Sequence, residues 1–245
     1  MMLREEKITL TAMTDQSKKT FHRANLLLLG CAMICLVCYD IFGGLWLKGT
    51  TSAWFVLLGF VNLIYGRRMG LKKNLFLILI QLGLIFGMCA DVLLGMVFVL
   101  GILSFAAGHV CYLVAFYSLE KFNRKDLFLI LPLAVVSVFV VTGTPYIQVE
   151  DPMLKKLLVG YAVIIACMLG KAGSNLMQRR SVHARLVFLA SAMFWFSDLM
   201  LAVDMFGTSS RLTWILCSYV YWPAQNLLAY SMYHFVSELR AKEAP

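Results

Sequence analysis

The amino-acid sequence reads as an all-α, polytopic membrane protein: eight transmembrane helices bundled around an intramembrane polar cavity, with both termini in the cytoplasm. Three observations carry this reading. The 245 residues are 61% hydrophobic and 14% charged, with a mean hydropathy of +0.80, too apolar for a soluble domain of this length. The apolar residues gather into eight stretches, most of them near the roughly 20 residues that cross a hydrocarbon core. The Lys and Arg residues, which give a net charge of +9, punctuate those stretches mainly on one side.

Before Ala24 the chain is polar and charged, with no short apolar run ahead of a small-residue cleavage site. No removable signal peptide is read there, and the first span acts as its own insertion signal. The spans are read near Ala24 to Leu47, Ala53 to Tyr65, Asn74 to Leu93, Gly95 to Leu119, Leu127 to Gly143, Leu154 to Leu176, Ala184 to Phe206 and Arg211 to Val236, the second being short. In the fourth, Gly101, Ser104 and Gly108 leave a narrow surface for close helix contact. Pro132 and Pro223 lie inside the fifth and eighth and are expected to kink them. Thr144-Pro145 and Asp151-Pro152 bracket the longest connection, since Pro and the residue before it resist helix continuation. The expected division is a polar cytoplasmic segment over 1–23, a membrane domain over 24–238 and a cytoplasmic tail over 239–245.

Alternating the connections places Arg4, Lys7, Lys18, Lys19, Arg23, Arg67, Arg68, Lys72, Lys73, Lys121, Arg124, Lys125, Lys171, Arg179, Arg180, Arg185, Arg240 and Lys242 on one side, 18 basic residues. The other side receives the remaining 4: Lys48, Lys155, Lys156 and Arg211. This asymmetry puts the basic loops in the cytoplasm, where they meet anionic headgroups, and makes membrane lipids rather than nucleic acid the partner. A compact multi-pass chain of this kind suits a bacterial inner membrane.

All seven cysteines lie within apolar spans. Cys35 and Cys38 form a C-x-x-C without a second Cys or His pair, so neither a zinc site nor a disulfide framework is expected. Of the four histidines only His109 is deep, which argues against three-His metal hydrolysis. No metal and no cofactor is called for.

Two carboxyls stand out. An Asp at the centre of a membrane helix costs roughly 2.5 to 3.5 kcal/mol, so Asp91 near the end of the third span and Asp198 within the seventh are candidates for function. Their depths allow contact. Two carboxyls in one low-dielectric cavity do not both ionise cheaply, and the expectation is that they share a proton and divide acid and base roles, in an order the sequence leaves open. Tyr161 and Gln225 lie at middle or outer depth in the sixth and eighth spans, and His109 with Tyr112 shares a face of the fourth. Asp40 is a further wall candidate, nearer a helix end. Plain packing or interfacial roles compete for His109, Tyr161, Gln225, Tyr219 and Trp222.

The run Asp91-Val92-Leu93-Leu94-Gly95, followed by Gly101 to Gly108 and then His109-Val110-Cys111-Tyr112, resembles the central signature of the YhhN-like lysoplasmalogenase family. Gly160-Tyr161, Phe196-Ser197-Asp198 with Leu201-Ala202, and Tyr219 with Ala224-Gln225 follow in family order, so the resemblance spans residues 72 to 230. Lys72-Lys73-Asn74 and Ala90-Asp91 depart from the Lys-Pro and Gly-Asp common in the family. The resemblance implies hydrolysis of the vinyl ether of a lysophospholipid substrate, a lysoplasmalogen, to a fatty aldehyde and glycerophosphoethanolamine or glycerophosphocholine.

Asp91 and Asp198 would then be catalytic. One would protonate the vinyl ether, while the other would stabilise the cation and take a proton from water. His109, Tyr112, Tyr161, Ser197 and Gln225 would orient substrate or water. Lys72 or Lys73 would meet the phosphate at a cytoplasmic entrance, Lys155 or Lys156 at an opposite one. Asn at either Asp is expected to abolish turnover without unfolding the protein. The competing class is a transporter or proton-coupled carrier, since intramembrane carboxyls also relay protons, although the two halves show no clear inverted repeat.

Overall fold

The computed structural model describes residues 2–71 and 73–243, with side chains described for 16–71 and 73–242. Among the described residues it contains eight helices and no strand: α1 (Met2–Phe42), α2 (Leu45–Arg68), α3 (Leu75–Leu93), α4 (Phe98–Leu119), α5 (Arg124–Gly143), α6 (Pro152–Gln178), α7 (Val182–Phe206) and α8 (Arg211–Glu243). Seven of them, α1 to α7, are long and apolar enough to cross a membrane. In α8 the Tyr, Ser, Gln and Asn side chains it turns inward dilute the apolar pattern.

Local sequence sets most helix starts. Asn74 accepts from the Leu77 backbone N–H at 3.2 Å, Asp151 from Met153 at 2.8 Å ahead of Pro152, and Ser181 from Ala184 at 3.1 Å. Asn123 and Asp126 form a reciprocal capping box at the start of α5. The first boundary differs from the sequence reading. The chain turns at Gly43 and Gly44, whose φ angles of 65° and 91° suit residues without a Cβ. The second helix therefore begins at Leu45, not Ala53, and is full length at 24 residues.

Six helices close into a ring in the order α2, α3, α4, α6, α7, α8 and back to α2. The first helix packs outside α2 and α8, and α5 packs outside α6. Small residues let the ring tighten. A Cβ on Gly83 would lie 2.2 Å from the Tyr112 ring, and one on Gly87 would lie 2.3 Å from Gln225 Nε2, so α3 makes room for side chains from α4 and α8. At the α3–α4 seam Gly108 faces the Gly83 carbonyl, and the Ser104 hydroxyl donates to the Phe86 carbonyl at 2.8 Å.

Polar pairs tie the outer helices to the ring. Asn25 and Asn62 exchange hydrogen bonds of 2.9 and 2.7 Å, and Asn62 also donates to the Ala229 carbonyl, joining α1, α2 and α8. Lys171 lies within α6 with its side chain wholly buried, although sequence position alone put it among the loop cations. Its ammonium donates to Asp126 at 3.0 Å and to the Lys121 carbonyl at 3.1 Å, and it stands 4.3 Å over the Tyr117 ring. Much of the outer surface is apolar: Ile34, Phe128, Val135 and Phe139 are each more than half exposed, an arrangement suited to lipid and not to water.

Candidate active site

Arg67, Arg68, Lys73, Lys121, Arg124 and Arg179 sit at helix ends that alternation brings to one end of the bundle, here the basic end. Asp91, Asp198 and Tyr161 lie in the opposite half. Two side chains meet on one oxygen of Asp198, on α7. The Tyr161 hydroxyl from α6 donates to Oδ2 in a short hydrogen bond, and His109 Nε2 from α4 lies 3.2 Å from it. His109 Nε2 is also 2.8 Å from the Tyr161 oxygen, so three helices converge on one carboxyl. Phe194 packs edge-on to the imidazole at 5.1 Å, which fixes the plane of the ring.

Asp91, on α3, has a separate set of partners. Its Oδ2 accepts from the Ser52 hydroxyl of α2 at 2.5 Å and from the Tyr221 hydroxyl of α8 at 2.7 Å. Tyr221 in turn accepts from Gln225 Nε2 at 3.2 Å, and Gln225 Oε1 accepts from Tyr112 at 2.7 Å. The donors thus run Tyr112, Gln225, Tyr221, Asp91, all aimed at the carboxyl. Trp222 Nε1 donates to Ser52 at 3.2 Å and is buried, so this ring supports the site and does not lie at the bilayer interface.

The expectation of one shared proton has to be revised at this point. The two carboxyls make no hydrogen bond to each other among the described residues. Phe194 touches His109 on one side and Tyr221 on the other, with ring centroids 5.1 and 5.5 Å away, and Phe105 adds an edge contact to Tyr221 at 5.7 Å. An aromatic partition therefore stands between the two carboxyl clusters.

An open cleft reaches Asp198 from the side of α4, α5, α6 and α7. Its walls are apolar: Phe98, Ile102, Phe105, Leu158, Ile165 and Leu199 are typical. Polar atoms come from Tyr161, Asp198, Ser137 and Trp195, and Asp198 is the one carboxyl among the described lining residues. Asp91 is 2% exposed and does not line it.

Of the residues singled out from sequence, His109 and Tyr161 join Asp198, while Tyr112 and Gln225 join Asp91. Ser197 joins neither, since its hydroxyl donates to the Phe194 carbonyl of its own helix at 2.9 Å. Lys72 lies outside the described residues. Lys73 precedes α3 at the basic end, and Asp91 lies about 24 Å along that helix from its start at Leu75, at 1.5 Å per residue. Asp40 pairs with Arg211 and accepts from Tyr219 at 2.9 Å, away from the cleft.

Ser52, Tyr221, Phe194 and Trp195 were not found from sequence. Ser52 and Tyr221 stand in spans with no local motif, and only the tertiary fold shows that they meet a carboxyl. Lys48, one turn before Ser52 on the same face of α2, was read only as a loop cation. Among the described residues no three His, Cys, Asp or Glu side chains converge to hold a metal ion. The model of the YhhN family matches residues 45–232 of this chain. No curated protein and no solved structure matches it.

Proposed function

The chain belongs to the YhhN family, and on that premise we propose that it is a lysoplasmalogenase, an alkenyl ether hydrolase working within the membrane. The observation that carries this reading is the apolar cleft with a single carboxyl, Asp198, at its inner wall. A lysoplasmalogen has one alkenyl chain and a reactive enol ether next to a polar head. It needs a slot for the chain and an acid beside the first two carbons.

Asp198 supplies the proton. Tyr161 and His109 occupy Oδ2, which leaves Oδ1 to carry the acid proton into the cleft. Transfer of that proton to the β carbon of the vinyl ether breaks the C=C π bond and leaves an oxocarbenium ion. Water adds to the cationic carbon and returns a proton to the Asp198 carboxylate, as a carboxyl changes from acid to base within one cycle in glycosidases. The hemiacetal then splits into fatty aldehyde and the glycerol hydroxyl of the departing headgroup.

Asp91 acts at longer range. Its carboxylate, held by Ser52 and Tyr221 behind the aromatic partition, favours positive charge in the cleft, where low polarity strengthens the field. The phosphate is placed at the end opposite the basic loops. Lys155, one turn before the cleft-lining Leu158, is the cation best placed to meet it.

In this reading all eight helices cross the membrane, α8 included, with both termini in the cytoplasm and the cleft in the outer half. The test is aldehyde release by purified, reconstituted protein from ethanolamine and choline lysoplasmalogens. Solute flux without aldehyde would point to a carrier instead.

A further inference from the structure

Among the described residues, the fifth helix is the one member of the bundle outside the ring that contributes to the cleft wall, through Ser137 and Val141. Its two halves are held differently. Near its start Asp126 is locked to Lys171 in the buried ion pair, and a Cβ on Gly170 would lie 2.9 Å from the Ile130 backbone, so this half sits tightly on α6. Pro132 follows, lacking the N–H that would bond the Phe128 carbonyl and so weakening the helix at that point.

Beyond Pro132, α5 lines the cleft through Ser137 and Val141 and leaves a gap to α7, with little packing between the two helices. The side-chain tie across that gap is a hydrogen bond of 2.8 Å from Trp195 Nε1 on α7 to Ser137 Oγ on α5. Past the end of α5, the Gln148 N–H donates to the Phe206 carbonyl at 2.8 Å. The outward residues of this half, Val135, Val136 and Phe139, are exposed and apolar.

We infer that the cleft is loaded sideways from the bilayer, between α5 and α7, and that Trp195 and Ser137 form the latch a single-chain amphiphile passes. The inference rests on the lysoplasmalogenase reading and adds the physical state of its substrate: one alkyl chain dissolved in the membrane. Several features point to this occupant. The walls of the gap are apolar, the segment beyond Pro132 faces lipid, and the slot ends at a carboxyl. The latch is weak enough to open, because a net hydrogen bond shifts an equilibrium by about 2- to 10-fold.

The test uses full-length protein in phosphatidylcholine vesicles and a saturated, single-chain alkyl-ether lysophosphoethanolamine with a diazirine at the chain end. Photolysis followed by peptide mass spectrometry maps where the chain sits. The expected adducts lie on the cleft faces of α5, α6 and α7. Their initial rate of formation should rise about 2- to 10-fold in Ser137→Ala and in Trp195→Phe, and no further in the double variant, because both remove the same bond. Equal rates in all four proteins, or adducts confined to other faces, would overturn the inference. The probe contains no vinyl ether. Failed labelling therefore counts against the sideways entrance alone, and failed aldehyde release against the activity alone.

Discussion

Asp198 lines the cleft and Asp91 stands behind it, each carboxyl held by donors from helices that the other does not touch. On the proposed mechanism this division gives the two acids unequal tasks, and their variants should differ. Asp198→Asn removes the acid itself and should lower kcat by about 10²- to 10⁴-fold, the usual contribution of general acid catalysis. Asp91→Asn leaves the acid in place and should lower kcat by no less than about 10-fold through the lost field, a barrier change of roughly 1.4 kcal/mol. Steady-state aldehyde release by the two variants measures the difference.

Tyr161→Phe keeps the ring against His109 and deletes one hydroxyl donor to Asp198. A hydrogen bond to a charged group contributes about 1.5 to 3 kcal/mol, so the step in which Asp198 becomes a carboxylate should slow by about 10- to 100-fold. Folding should be little changed. Single-turnover rates beside thermal unfolding in detergent separate the two effects.

Gly83→Ala places a methyl group where the Tyr112 ring now lies. Overpacking of this kind costs about 1 to 3 kcal/mol and would displace the first donor in the relay to Asp91. Both the unfolding midpoint and activity should fall. Gly160→Ala, with nothing within 4 Å of the added carbon, is the control expected to leave both unchanged.

Lys171→Ala strands the Asp126 carboxyl in a fully buried position. Breaking one side of such a pair costs about 3 to 5 kcal/mol, so the single variant should express poorly or unfold early in detergent. Replacing both partners by apolar residues, Lys171→Met with Asp126→Leu, should recover much of that loss. Size-exclusion profiles and thermal midpoints provide the comparison.

Much of the helical layout was legible in the sequence because a bilayer makes simple demands: apolar length marks the helices, seven of which are long and apolar enough to cross a membrane. The candidate residues His109, Tyr161 and Gln225 stood out for a related reason, since polar groups deep in a span need partners. Their grouping was not. Depth along a helix says nothing of its rotation, and it is rotation that sends Gln225 to Asp91, His109 to Asp198, and Ser197 back onto its own helix. The first helix boundary was misplaced because the apolar run continues through Gly43-Gly44, where only the backbone angles mark a turn. Lys171 was misread because its buried partner, Asp126, lies 45 residues away in sequence.

The central claim is that Asp198 delivers a proton to the β carbon of a vinyl ether inside the cleft. Reconstituted protein turning over an ethanolamine lysoplasmalogen in D₂O tests it directly, with mass spectrometry of aldehyde trapped as it forms. The account predicts one deuterium on the carbon next to the carbonyl, and a near-complete loss of product with Asp198→Asn. Release of aldehyde without that deuterium, or undiminished release by Asp198→Asn, would contradict it.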